Sequence, residues 1–258
     1  LVLVLEVVNS VVTGQTRAAQ EQQNNVGLPE QDTDSAYAVL VHGDAAFPGQ
    51  GIVPETFNYS RVRGFRTGGS VHVIANNMIG FTTEHYDSRS THYSSDPAKG
   101  FEVPIIHVNA DSPESVIAVA SFAFEYRQKF GKDIVIDLLG YRRYGHNEMD
   151  EPLVTNPVMY HSVHKHPTVR EIYGNTLVSK NVVTKEEVDQ LDADVFKIMQ
   201  KAHDVVRDHP SSKDKKQGPL EIPEEVLAGY PRDLETGIEE DRLRTLNEDL
   251  LTFPEDFD

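Results

Sequence analysis

Two short apolar runs between Tyr37 and Gly80, each ending on turn-forming polar residues, restrict what this chain can fold into more than any other feature. Tyr37 to His42 (YAVLVH) is apolar and β-branched and breaks at Gly43-Asp44. Val71 to Ala75 (VHVIA) does the same and breaks at Asn76-Asn77. Runs of this kind read as buried strands. Gly51 to Arg63, between them, has the composition of a helix. A strand, a crossover helix and a second strand make parallel neighbours in one sheet. Ligands of such sheets collect beyond the carboxyl ends of the strands. Asp44 and Asn77, 33 positions apart, both fall at those ends.

The residue types there suit one chemistry. A carboxylate, an amide oxygen and a free backbone carbonyl match a hard divalent ion such as Mg²⁺, which shares its shell with phosphate rather than taking an all-protein cage. Ala45 and Ala46 are small enough for a diphosphate to approach the backbone. Gly49 and Gly51 precede a helix, whose free N–H groups and dipole favour an anion. The competing reading is that Asp44 caps that helix and Asn76-Asn77 is an ordinary turn, since Gly-Asp and Asn-Asn are common turn signals. The two halves in one β-α-β frame are more specific than either alone.

The rest of the chain extends the same pattern. Pro104 to Asn109 (PIIHVN) and Asp133 to Leu139 (DIVIDLL) read as further buried strands. Between them Ser112 caps a helix with Pro113 at its first position, and Gly131 ends it. Val116, Ile117, Ala120, Ala123, Phe124 and Phe130 are spaced as its core face. Strands alternating with helices give a parallel, doubly wound α/β sheet. Leu1 to Val12 alternates apolar and β-branched residues and is expected to be extended. Thr13 to Gln20 reads as a helix or turn, and Glu21 to Ser35 as a polar loop. Phe81 to Lys99 is a long polar loop beside Asn77, with Thr82, Thr83, Ser90, Thr91 and Tyr93 as hydrogen-bond donors.

Tyr141 to Glu148 (YRRYGHNE) follows the last strand, again on the ligand side. Arg142 and Arg143 suit phosphate or an ion-pair network with Glu148. Asn156 to Val178 is mostly helical, with starts at Pro157 and Pro167. His161, His164 and His166 lack acidic or cysteine partners at regular spacing, which argues against a metal site. Thr184 and Glu187 form a capping box opening a helix to about Arg207, with Val188, Leu191, Val195, Ile198, Ala202 and Val205 on one face. From Pro210 the chain is acidic and interrupted by prolines, with one amphipathic helix carrying Ile238, Leu243, Leu246, Leu250 and Leu251.

Composition removes several classes. There are no cysteines, which excludes disulfides, thiolate metal sites and cysteine nucleophiles. A net charge of −17 argues against nucleic acid and against anionic membranes as partners. Leu1 to Leu5 is apolar but too short to span a bilayer.

Gly43-Asp44-Ala45 followed by Asn76-Asn77 resembles the thiamine diphosphate motif of the transketolase-like enzymes. The flanking segments HGDAAFPGQGIVPETFNYS, FRTGGSVHVIANNMIGFTT, DSRSTHYSSDPAKGF, PIIHVNADSPE and YRRYGHNEMDEP resemble the E1 component of 2-oxoglutarate dehydrogenase, from about Val7 to the end. That resemblance implies an α/β fold in which residues 1–209 are the diphosphate-binding domain and 210–258 a connector toward a second cofactor domain. It implies thiamine diphosphate and Mg²⁺ as cofactors. It places Asp44, the Asn77 side chain and the Ile79 carbonyl on the metal, with Leu5, Ala45 and Ala46 lining the cofactor. His146 resembles the active-site loop histidine beside the diphosphate, a catalytic position. Where the family carries Ser-His-Leu-Glu, this chain has Leu3-Val4-Leu5-Glu6, so Leu5 and Glu6 match and Leu3 and Val4 depart.

The activity implied is oxidative decarboxylation of 2-oxoglutarate in the tricarboxylic acid cycle, with succinyl transfer to the lipoyl domain of the E2 dihydrolipoyl succinyltransferase. A homodimer is implied for the full-length protein, in the cytoplasm of a bacterium or the mitochondrial matrix of a eukaryote. The chain reads as a piece of a longer protein, and the glutamate that activates the cofactor belongs to a part not found here. The isolated chain is therefore expected to show no turnover. An E1 for a related acid such as 2-oxoadipate, an assembly module with a vestigial site, and an unrelated Mg²⁺-binding phosphatase are the other readings of the same residues.

Overall fold

The computed structural model describes residues 6–22, 27, 29–208 and 237–253. The chain divides into two units between Leu191 and Asp192.

The first unit is built on a four-stranded, wholly parallel sheet. In chain order its strands are β3 (Val39–Gly43), β4 (Val71–Asn76), β7 (Ile105–Asn109) and β8 (Ile134–Leu139), in the spatial order β3-β4-β8-β7. Parallel sheets bury both faces, and β8 is buried from Ile134 to Asp137. One face packs as Val71, Val108, Ile134 and Ile136 against Ala123 of α5 (Pro113–Phe130). The other packs Ile74 and Val135 against Phe47 of α2 (Ala46–Gly49), and Val53 and Phe57 of α3 (Ile52–Tyr59). Each such buried side chain contributes about 1.5–3 kcal/mol. The expected β-α-β unit is thus present: β3 and β4 pair in parallel from Val39↔Val71 to Gly43↔Ala75.

Four expectations need correction or refinement. The segment Leu1–Val12 is not extended where it is described: α1 runs Val8–Ala19, and Leu1 to Leu5 lie outside the described residues. Its alternation is real, but Asn9 and Thr16, seven positions apart, are the buried pair, a helical spacing. Second, only part of the expected α5 stripe is core. The helix meets the sheet through Val116, Val119, Ala123 and Tyr126, whereas Ile117 is 67% exposed and Phe124 and Phe130 are also exposed. The true stripe is rotated by about one residue, a shift that apolar residues on both faces conceal from spacing alone.

Third, Ser112 occupies the cap position of α5 without capping it; its hydroxyl donates to Ser115 Oγ. Gly131 does end the helix, with φ +60°. Fourth, the loop after Asn77 holds short elements: the hairpin β5 (Ile79–Gly80) with β6 (Thr83–Glu84), α4 (His85–Ser88), and a 3-10 turn at Asp96–Phe101. A two-residue pair, β1 (Glu21–Gln22) with β2 (Glu30–Gln31), also crosses the loop at Glu21 to Ser35.

After β8 come α6 (Pro152–Thr155), α7 (Pro157–Lys165), α8 (Val169–Ser179) and α9 (Lys185–Asp208). Both α8 and α9 open on capping boxes: Thr168 with Glu171, and Thr184 with Glu187. Beyond Leu191 the second unit contains the rest of α9 and, in the acidic segment, α10 (Glu240–Leu251). Val195, Ile198 and Val205 of α9, and Leu243, Leu246 and Leu250 of α10, are exposed. No described helix is long and apolar enough to cross a membrane.

Candidate functional site

The two loops expected to converge do so at the carboxyl ends of β3 and β4. Asp44, 2% exposed, turns away from the helices that follow it: neither α2 nor α3 has a side-chain cap. Its carboxylate lies instead beside the backbone N–H of Asn77, which favours the charged form. The helix-cap reading of Asp44 is therefore set aside. Burial pushes the Asp44 carboxyl above its ordinary value, opposed chiefly by the nearby Arg89 guanidinium.

The Asn-Asn pair shapes the second loop. Asn76 Oδ1 accepts from the Met78 N–H (3.1 Å), and Asn77 Oδ1 from the Ile79 N–H (3.2 Å). Met78 sits at φ +64° and Phe81 at φ +55°, conformations that a non-glycine residue holds only when its surroundings fix them. The turn reading of these asparagines is thus correct as geometry. It leaves a second lone pair on Asn77 Oδ1, since an amide oxygen carries two.

What fixes the loop lies under it. Asp137, fully buried in β8, accepts from Asn76 Nδ2 (2.9 Å), from His107 Nδ1 (2.8 Å) and from Ser95 Oγ (3.5 Å). Three strands and the loop after β6 therefore meet on one carboxylate. Ile79 is buried against Tyr160 and Val163. The chain also passes close at Gly80: a Cβ there would meet Ala45 Cβ at 2.7 Å. Gly80→Ala is expected to destabilise the chain by about 1–3 kcal/mol through overpacking. Adding Ala45→Gly should recover most of that loss in urea denaturation; no recovery would place the strain elsewhere.

Arg89 is the site residue that sequence reasoning missed. Its side chain is 4% exposed and Nη1 lies 3.6 Å from Asp44 Oδ2. Asp44 Oδ2, Arg89 Nε and Arg89 Nη1 are all buried without a hydrogen-bond partner. Buried polar atoms are nearly always paired. A buried acceptor and two buried donors left unpaired at one place fit a metal-bound diphosphate: the oxygen faces a cation, the guanidinium an anion. The only sequence signal was a lone arginine among hydroxyl residues. Of the donors named there, Thr91 Oγ1 is spent on the Tyr93 carbonyl.

His146 is exposed, with its ring edge-on to Phe81 at 5.0 Å and Nδ1 3.5 Å from Arg142 Nη1. Arg142 also donates to the Phe81 carbonyl (2.8 Å) and to Tyr160 Oη (3.2 Å). The structure thus brings His146 beside the loop that follows Asn77. Arg142 and Arg143 anchor that loop region through carbonyls and tyrosine hydroxyls, in place of the expected network with Glu148. His166 pairs with Asp111 at 2.7 Å, and no described group of three or more His, Cys, Asp or Glu residues is arranged to hold a metal. Leu5 lies outside the described residues; Ala45 stands between Asp44 and α2, which Ala46 opens.

A second buried chain was not anticipated. Glu6 Oε2 accepts from His42 Nδ1 (2.5 Å), and His42 Nε2 lies 2.9 Å from His72 Nδ1. Burial, followed by the neighbouring His42, holds His72 well below its ordinary value. His72 is thus held toward its neutral form and shares one hydrogen bond with His42 through Nδ1. It also lines a cavity of about 300 Å³ with Ser70 and Asp133, at the amino ends of the strands and away from Asp44. A histidine with a depressed folded pKa stabilises the fold above its unfolded pKa, and that contribution is lost as pH falls. The wild-type urea midpoint should therefore fall relative to His72→Gln as pH drops below about 6.5. Parallel pH profiles would contradict this.

Comparison with known proteins fits the geometry. The sequence model of the dehydrogenase E1 component family matches residues 3–215, and the chain belongs to that family. Its curated relatives include the 2-oxoglutarate dehydrogenase E1 components of Geobacillus sp. (strain WCH70), 57% identical, Geobacillus kaustophilus, 55%, and Bacillus subtilis, 53%. Each match takes in 98% of this chain and 26% of the relative, so the chain spans about a quarter of their length. Family membership implies thiamine diphosphate as the cofactor.

Proposed function

We propose that this chain is the diphosphate-binding part of a 2-oxoglutarate dehydrogenase E1 component, holding thiamine diphosphate through Mg²⁺. The observation that carries the reading is the buried Asp44 carboxylate beside the Asn77 loop and beside Arg89, whose Nε and Nη1 make no hydrogen bond. Asp44 Oδ2, Asn77 Oδ1 and the Ile79 carbonyl are the metal ligands in this reading. Ala45, Ala46 and Leu5 line the cofactor, and Asn76, braced by Asp137, keeps the second loop in register with the first. His146 serves at the diphosphate end of the site. Thiamine diphosphate, when bound, supplies the carbanion chemistry by which a 2-oxo acid loses CO₂. The protein's part is to position and neutralise the diphosphate and keep it from water.

The substrate 2-oxoglutarate is proposed on the relatives' names, and the E2 succinyltransferase as acyl acceptor and a dimeric full-length enzyme on the family resemblance. Residues 1–209 act as the binding domain and 210–258 as the connector. Isothermal titration of the chain with thiamine diphosphate, with Mg²⁺ and then with excess EDTA, tests the reading. Saturable heat only in the presence of Mg²⁺ is expected; identical weak heats in both would count against it.

A further inference from the structure

Resting on the cofactor reading above, we propose that Arg89 is a stand-in cation for Asp44, handed over to the diphosphate when metal and diphosphate arrive together. The buried carboxylate of Asp44 faces one cationic group among the described side chains, and that group is Arg89 Nη1 at 3.6 Å. At that distance the pair is electrostatic and makes no hydrogen bond, which agrees with Asp44 Oδ2, Arg89 Nε and Arg89 Nη1 all lacking partners. A buried charge is tolerated only when it is compensated. Arg89 and Asp44 compensate each other, while leaving donors and an acceptor open toward the same place.

Two consequences have opposite sign. A free divalent ion must compete with the guanidinium for Asp44, so Arg89 weakens the binding of metal alone. A metal-bound diphosphate brings its own anionic oxygens, to which guanidinium donors are matched. Arg89 therefore strengthens binding of the pair. The site discriminates metal–diphosphate from free metal. Arg89 follows α4, immediately after the β5–β6 hairpin that continues from Asn77. The residue that neutralises the diphosphate is thus carried on the same excursion as the second metal-binding loop.

The test titrates the full chain by calorimetry with two probes, Mn²⁺ alone and pyrophosphate in saturating Mg²⁺. Wild type, Arg89→Ala and Arg89→Lys are compared, with circular dichroism as the check on folding. For Arg89→Ala the affinity for pyrophosphate is expected to fall about tenfold or more, and that for Mn²⁺ alone to rise severalfold. Arg89→Lys keeps the charge without the fork and should lie between the two, and carries the comparison if the alanine variant does not fold. Unchanged pyrophosphate affinity in the variants, or a parallel loss for both probes, overturns the role given to Arg89 while leaving the site. Wild type that binds neither probe overturns the site assignment and this proposal with it.

Discussion

Asp44→Ala is expected to abolish Mg²⁺-dependent binding of thiamine diphosphate, lowering the affinity by about 100-fold or more. Supporting groups around a metal ligand already cost about 10- to 100-fold when removed, and Asp44 is the sole carboxylate in the expected ligand set. Mg²⁺ binds proteins through one or two carboxylates plus phosphate oxygens. The amide and carbonyl oxygens that would remain cannot replace a formal charge. The substitution also leaves Arg89 buried without its one ion-pair partner among the described residues, so some loss of stability accompanies the loss of affinity. Asp44→Asn keeps the shape of the side chain and removes only the charge, and urea denaturation of both variants reads their stability separately from the affinity. Calorimetry in Mg²⁺ reads the affinity; near-wild-type binding by both variants would show that the ion, if bound, sits elsewhere.

The second large effect concerns stability. Arg127→Leu is expected to cost about 1–3 kcal/mol, the range for a buried polar group that loses its hydrogen-bond partner. Arg127 is 1% exposed and lies on the inner side of α5. Its Nη2 donates to the carbonyls of Thr33 (2.5 Å), Thr67 (3.1 Å) and Ala36 (3.3 Å), and Nε to that of Gly69 (3.2 Å). One side chain thus ties two loop segments, those before β3 and before β4, to the helix. Leucine would keep much of the volume and leave the Gly69 carbonyl without this donor, at about 1–3 kcal/mol, while Gln20 Nε2 still reaches the carbonyls of Ala36 (2.7 Å) and Thr67 (2.8 Å). A drop in the urea midpoint with an unchanged slope is the expected signature. A loss below about 1 kcal/mol would mean that Gln20 and water satisfy the carbonyls that Arg127 releases.

The sheet and the two loops were legible in the sequence because β-branched runs and turn residues act locally. YAVLVH-GD and VHVIA-NN carry their own strand and stop signals, and the β-α-β frame then fixes where Asp44 and Asn77 lie. What was not legible depends on contacts far apart in sequence. Leu1–Val12 has strand-like composition, yet Asn9 and Glu6 bond each other three residues apart, and Thr13 returns its hydroxyl to the Asn9 carbonyl, as a helix allows. The α5 face was misplaced because only the tertiary packing selects between two apolar stripes. Arg89 gave no periodic or spacing signal at all, and its role rests on burial opposite Asp44. Likewise, His42 and His72 read as strand residues, and only the register Leu40↔His72 sets their side chains on one face of the sheet.

Crystals of the chain grown with Mn²⁺ and thiamine diphosphate, and measured for anomalous scattering at the manganese edge, reach the central claim most directly. A single anomalous peak within coordination distance of Asp44 Oδ2, Asn77 Oδ1 and the Ile79 carbonyl is predicted, with the diphosphate on its open side. A manganese peak away from residue 44, or cofactor bound with no metal between it and the protein, would contradict the account.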